Sequence, residues 1–239
     1  MPYTASNGRL FLDSRTIELK NMNDNVAIHY TLDGSIPTEK SPLYTGGFTI
    51  KETAVLKAIA IKNGYEPSRL LETKFTKAIF NSGGELPSIQ RNYTVRSKYD
   101  NGENGLLDGQ YGSENLHDGR WAGVVRENLE AVVDLGKATT IESLELGFLI
   151  NTSSWLFPPQ KVTYYTSENG KDFIEVGSVV NNMPETHPKI HIERYTKKLQ
   201  QATTTRYIKV IAKPFDAIPA WHMGAGNNPW IFADELVIE

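Results

Sequence analysis

Apolar and polar residues alternate along this chain, and that period of two constrains its fold more than any other feature. Val26, Ile28, Tyr30 and Leu32 fall on one face of a strand, with Ala27, His29 and Thr31 on the other. Leu129, Ala131, Val133 and Leu135 repeat the pattern, as do Leu144, Leu146, Phe148 and Ile150. Strand side chains point to opposite faces in turn, whereas a helical stripe recurs every three or four residues. No segment carries a convincing helical stripe. Asp33-Gly34, Asn63-Gly64, Asn101-Gly102, Asn104-Gly105, Asp118-Gly119 and Asn169-Gly170 interrupt the runs at short spacing. Asn169-Gly170, between the runs at 162–166 and 173–179, predicts a tight hairpin, because such turns need two residues with φ > 0. Many short strands between frequent turns predict an all-β fold of sandwich or jelly-roll type.

The 239 residues suffice for two ordinary β domains. Asn81-Ser82-Gly83-Gly84-Glu85-Leu86-Pro87 is small, polar and kinked, as a linker should be. The expected division is a domain at 1–80, a linker at 81–90 and a second domain at 91–239. A net charge of −3 supplies no basic field for nucleic acid or anionic lipid. There is no cysteine, so disulfides, thiolate metal sites and a Cys nucleophile are excluded. No apolar run approaches the ~18–20 residues of a membrane span.

In the first domain, Tyr30-Thr31-Leu32-Asp33-Gly34-Ser35-Ile36-Pro37-Thr38 leads from a strand into a turn. Asp33, Ser35 and Thr38 are suited to cap turn amides locally. Ser41-Pro42-Leu43-Tyr44-Thr45-Gly46 and Leu56-Lys57-Ala58-Ile59-Ala60 follow. The strand around them carries Val55, Ile59 and Ile61 on one face and alanines on the other. This set resembles the immunoglobulin-like domain on the C-terminal side of bacterial chitobiase and β-hexosaminidase barrels. The resemblance spans about 11–78 and implies an Ig/fibronectin-like β-sandwich that acts as a spacer or packing domain.

The second domain has a different series of landmarks. Leu107-Asp108-Gly109 and Gly119-Arg120-Trp121 precede Val133-Asp134-Leu135-Gly136. Ser167-Glu168-Asn169-Gly170-Lys171-Asp172-Phe173, Arg206-Tyr207-Ile208-Lys209-Val210 and Asp234-Glu235-Leu236-Val237-Ile238 come later. In this order they resemble a discoidin (coagulation factor 5/8 type C) β jelly roll, a fold shared with family 32 carbohydrate-binding modules. With Ser154-Trp155-Leu156-Phe157-Pro158-Pro159 and the run from Ala220 to Leu236, the pattern is similar to the version attached to family 20 exo-β-N-acetylhexosaminidases. Such enzymes also carry a catalytic (β/α)₈ barrel, and nothing here reads as βα units. Asp234 and Glu235 are adjacent on an expected strand, where neighbours point to opposite faces, so they do not make an acid pair.

The jelly-roll resemblance implies a structural Ca²⁺ held by Asp108, Ser113 and Glu235 with carbonyls of the loop at 104–113. Such hard cations take six to eight oxygens. Ser113 stands where the family usually has Thr, and extra residues separate it from Trp121. An EF-hand beginning at Asp100 fails, because its twelfth position is Tyr111.

Sugars are bound by aromatic faces and a few convergent polar groups. All four tryptophans lie in the second domain. Arg120, Trp121, Trp155, Trp221 and His222 are the candidate carbohydrate-binding residues, with the glycine- and asparagine-rich loop after Trp221 as the preferred exposed loop. Trp230 is assigned to the core. His187 and His191 lack a third ligand, so a metal site there is disfavoured.

The expected function is a non-catalytic accessory region of an exported bacterial glycoside hydrolase. It would bind an N-acetylhexosamine- or galactose-containing glycan and pack against the catalytic barrel. A free-standing lectin and the accessory region of a fucosidase are the alternatives; a complete hydrolase on a β scaffold is the weakest reading.

Overall fold

The structure, a computed structural model, describes residues 1–5, 10–11, 14–77, 87–95 and 97–239. It divides into two compact units, Met1–Ala78 and Ile79–Glu239. Residues 81–86 of the expected linker lie outside the described residues. Among the described residues the regular structure is β-strand with two single-turn 3₁₀ segments. No helix among them is long and apolar enough to cross a membrane.

The first unit contains β1 (Tyr3–Thr4), β2 (Leu10–Phe11), β3 (Arg15–Ile17), β4 (Leu19–Lys20), β5 (Ala27–Thr31), β6 (Phe48–Ile50), β7 (Ala54–Ile61) and β8 (Leu71–Lys77). A four-stranded sheet runs β2-β8-β7-β5, with β3–β6 and β1–β4 as separate pairs. One core joins them: Ile17 and Ile50 from β3 and β6 pack with Ile28, Leu56, Ala58 and Phe75. The small face of β7 is thus the inward one, and its alanines let the opposing elements approach closely. In the turn after β5, Asp33 and Thr38 cap amides as expected, whereas the Ser35 hydroxyl donates to Asp33 instead of accepting from an amide. Asp33 Oδ1 accepts from the Ser35 amide at 3.0 Å and hydroxyl at 2.6 Å, and Thr38 Oγ1 accepts from the Lys40 amide at 3.2 Å.

The second unit contains β9 (Ser88–Arg91), β10 (Ala122–Val125), β11 (Leu129–Ile150), β12 (Lys161–Ser167), β13 (Ile174–Val180), β14 (His191–Lys213) and β15 (Trp230–Ile238). The order is β10-β15-β11-β14-β12-β13, with β9 also on β11. β11 serves two neighbourhoods. Its first half lies between β9 and β14, its second between β15 and β14. Gly136 (φ +77°) and register shifts at Asp134/Thr139 and Ile141/Ser143 bend it between them. The shifts explain why buried positions change parity, from Leu129, Ala131, Val133 and Leu135 to Leu144, Leu146, Phe148 and Ile150. Both sets enter one core, where each fully buried large apolar side chain contributes roughly 1.5–3 kcal/mol.

The hairpin differs from expectation. β12 ends at Ser167 and β13 starts at Ile174, so the connection is longer than two residues. Only Gly170 takes a positive φ there, +70°. Asn169 Oδ1 instead accepts from the amides of Lys171 and Asp172, each at 2.9 Å. Its side chain caps the loop and its backbone does not make the turn.

Candidate functional site

The final strand builds one part of the site. Leu146 pairs with Leu236 and Phe148 with Ala233, so Asp234 and Glu235 together oppose the single residue Gly147. This is a β-bulge, a device that re-aims side chains. It corrects the expectation that the two carboxylates diverge, because both reach the loop after Leu107. Asp234 Oδ2 accepts from the Gly112 amide at 3.0 Å, and Glu235 Oε1 from the Gly109 amide at 3.1 Å. Both residues are fully buried. Asp234 is neutralised by Arg194 through two 2.7 Å bonds, and that guanidinium lies 4.1 Å from the Tyr111 ring centroid.

Glu235 has no such cation among the described residues. Among the described residues no N–H or hydroxyl donates to its buried Oε2, and the Asp108 carboxylate lies close enough to share a proton with it. Burial, reinforced by the nearby Asp108 carboxylate, pushes its pKa well above the ordinary carboxylate range. Asp108 lies at the exposed rim, where Oδ1 accepts from the Gln110 amide at 2.8 Å. Ser113 is turned to Asp118, donating to Oδ2 from its amide and its hydroxyl, both at 2.7 Å. Among the described residues no group of three or more His, Cys, Asp or Glu is placed to hold a metal. Two neighbouring carboxylates, one buried and without an N–H or hydroxyl donor at Oε2 among the described residues, beside a tight loop nevertheless fit a hard cation that takes much of its shell from backbone.

The five expected sugar-binding residues separate into two groups. Trp155, Trp221 and His222 come together; the ring centroids of Trp155 and Trp221 lie 6.3 and 5.5 Å from that of His222. Arg120 and Trp121 support the loop at 108–113 instead. Arg120 Nη1 donates to the Tyr111 carbonyl at 3.0 Å, and Trp121 Nε1 to the Ser113 carbonyl at 3.2 Å. Trp121 is 1% exposed and presents no face for stacking on a sugar. A side chain at Gly112 would overlap its indole, so that glycine lets the loop lie on the ring.

His222 is also buried, at 3% exposure. Its Nδ1 accepts from the Gly224 amide at 2.9 Å, which leaves Nε2–H to donate to the Thr152 carbonyl at 2.9 Å. It ties the loop down and offers nothing to a ligand. Trp221 donates Nε1–H to the Pro184 carbonyl at 2.8 Å and meets the His187 ring edge-on at 4.6 Å. Trp155 has φ +66°, an uncommon conformation for a bulky residue. The amide of Trp155 donates to the Thr152 carbonyl, and its own carbonyl accepts from the Trp230 amide, which together hold it there. His187 and His191 do not converge: their Nδ1 atoms engage Thr152 Oγ1 and the Lys189 carbonyl. Trp230 packs with Tyr99 and Phe232, in the second unit's smaller apolar cluster.

Sequence reasoning misses a cleft of about 190 Å³ next to this loop, lined by Arg126, Asn128, Lys213, Phe215, Asp216 and Asn228, among others. Lys213 and Asp216 partly neutralise each other at 4.0 Å. Arg126, at φ +70°, is exposed and makes no ion pair among the described residues. Left-handed backbone at a residue that is neither Gly nor Asn clusters at binding sites. The connection of 126–128 between two alternating strands is the sequence signal, but the strain is invisible there.

Two sequence families cover these units. The chitobiase/β-hexosaminidase C-terminal domain profile matches residues 6–72, and the F5/8 type C domain profile matches residues 89–227. Both describe non-catalytic modules. A β-hexosaminidase of Porphyromonas gingivalis is 26% identical over 203 residues, covering 84% of this chain and 23% of that protein. The chain thus spans under a quarter of that curated relative's length. Among solved structures, the C-terminal domain of a Bacteroides fragilis chitobiase is 16% identical, covers 68% of this chain and 97% of that one, and superposes with a TM-score of 0.40. A Clostridium perfringens module in complex with GalNAc-β-1,3-galactose is 16% identical, covers 64% and 94%, and has a TM-score of 0.40. With more than half of its length matched by the F5/8 type C profile, preceded by a chitobiase/β-hexosaminidase C-terminal match, this chain belongs to the F5/8 type C domain family.

Proposed function

We propose that this chain is the glycan-binding accessory region of an exported bacterial β-N-acetylhexosaminidase-like glycoside hydrolase. The observation that carries the reading is the single β-hexosaminidase alignment, which runs through most of this chain while covering only a minor part of that enzyme. The catalytic barrel of such an enzyme is the second partner, with the Ig-like unit as its packing surface. The glycan contact is assigned to the rim formed by Trp155, Trp221 and the adjoining cleft with Arg126, Asn128 and Phe215. There an aromatic face, two amides and an unpaired guanidinium converge. Arg120, Trp121 and His222 position loops and do not touch the sugar.

The same reading assigns a structural Ca²⁺ to Asp108 and Glu235, supported by a buried Glu235 oxygen that accepts from no N–H or hydroxyl among the described residues and lies near the Asp108 carboxylate. When bound, the ion would offset the buried carboxylate charge and fix the loop at 108–113. Titration of the chain with glycans ending in N-acetylhexosamine or galactose tests the function. Weak binding is expected, with shifts at the jelly-roll rim that Phe215→Ala or Arg126→Ala abolishes. Absence of binding across such a panel would leave only a packing role. Turnover of an aryl N-acetylglucosaminide by this chain alone would sink the non-catalytic assignment.

A further inference from the structure

The first unit carries a second cleft, of about 600 Å³, that the glycan rim of the jelly roll does not use. Two turns line it, one at 21–25 and one at 62–68, flanking the adjacent strands β5 and β7. The turns are locally braced. Asn21 Oδ1 accepts from the Asn23 amide at 2.9 Å, and the Tyr65 amide donates to the Lys62 carbonyl at 3.0 Å. The Ser68 amide donates to the Ala60 carbonyl at 2.9 Å, and Ser68 Oγ accepts from the Ala60 amide at 3.0 Å. Asn25 and Gly64 both take left-handed backbone, which closes each turn.

Tyr65 is 70% exposed here, with Lys62 Nζ 5.3 Å from its ring centroid. Around it stand Asn21, Asn23, Asp24 and Glu66. The side chains of Asn23, Asp24 and Glu66 make no hydrogen bond or ion pair among the described residues. Val26 and Ala60 add an apolar part to the lining. The geometry points to a second carbohydrate site on the Ig-like unit, in which Tyr65 stacks on a pyranose and the turn amides and carboxylates bond its hydroxyls.

Three observations favour a sugar over other occupants. The volume falls in the range of small-ligand sites, which is about 300–1,000 Å³. An exposed ring beside unspent donors and acceptors matches a ligand that is apolar on its C–H face and polar at its rim. Charges of both signs suit a neutral glycan better than an ion. They also disfavour a protein partner, because interface cores are depleted in Lys, Asp and Glu.

The test uses the full chain carrying Arg126→Ala and Phe215→Ala, so that the jelly-roll rim is disabled. Chitotriose and N-acetyllactosamine are titrated and followed by NMR chemical-shift changes. Residual binding is expected, weakened about tenfold or more by Tyr65→Ala, the loss of one ring's stacking. Glu66→Gln is expected to weaken it also. Both sites are exposed, and an unchanged melting temperature shows that each variant folds. Loss of all sugar response in the disabled background overturns the proposal, as does binding that ignores both substitutions. A face used only for protein packing gives the first of these results.

Discussion

Arg194 grips Asp234 with two parallel bonds of 2.7 Å, and Gly147 is the residue that lets them meet. A methyl group at Gly147 would overlap both Arg194 Nη1 and Asp234 Oδ1. Gly147→Ala is therefore expected to destabilise the second unit by displacing the pair. Asp234→Ala leaves Arg194 largely buried and unpaired, and the expected cost is about 3–5 kcal/mol. Urea unfolding followed by tryptophan fluorescence measures both, since all four tryptophans lie in this unit.

Glu235 gives a pH test of the cation. A carboxyl whose folded pKa is raised binds its proton more tightly folded than unfolded. Without a cation, stability then falls as pH rises from the unfolded value, about 4.3, through the raised folded value. Ca²⁺ acts against the charged form's penalty, so added Ca²⁺ should raise the melting temperature at pH 7.5 and much less at pH 4.5. Glu235→Gln should abolish that response. A calcium effect of equal size at both pH values would speak against Glu235 as a ligand.

Asp134 has the opposite sign. The two hydrogen bonds from Arg206, at 2.8 and 2.9 Å, hold its carboxyl below the usual aspartate range despite some burial. Its contribution is fully present above the unfolded value, about 3.9, and is lost as pH falls through the folded one. Asp134→Asn should flatten the acid limb of the melting-temperature profile between pH 5 and pH 2, and should leave the calcium response intact.

The tryptophans should sort by role. Trp121→Ala removes a buried indole beneath the loop at 108–113 and should cost about 3–5 kcal/mol in unfolding assays. Trp155→Ala, at a partly exposed rim position, should weaken glycan binding more than it lowers stability. Its strained backbone is relieved only by glycine, so Trp155→Gly should melt higher than Trp155→Ala.

Local patterns carried the fold into view. The alternation at 129–135 and 144–150 is the core of the second unit because burial of one face acts residue by residue along a strand. The change of parity between those runs was visible in the sequence, but the irregularity at Ile141/Ser143 that produces it depends on partners in β14. The cation loop was legible only through resemblance. Arg194 lies far from Asp234 in the chain, and no local pattern joins them. A bulge that turns Asp234 and Glu235 to one loop violates the alternation that makes strands readable. Trp121 and His222 show the converse limit: a polar neighbour in sequence says nothing about which face of a ring is covered.

β15 also fixes an order of events during synthesis. It pairs with β10 on one side and β11 on the other, and it brings Glu235 to a loop laid down more than a hundred residues earlier. Until residues 230–238 leave the ribosome, β10 lacks the neighbour it pairs with among the described residues, and the loop at 108–113 has neither carboxylate. Pairings of such sequence separation form slowly. The nascent second unit must therefore keep an open sheet edge out of reach of other chains until its last strand arrives.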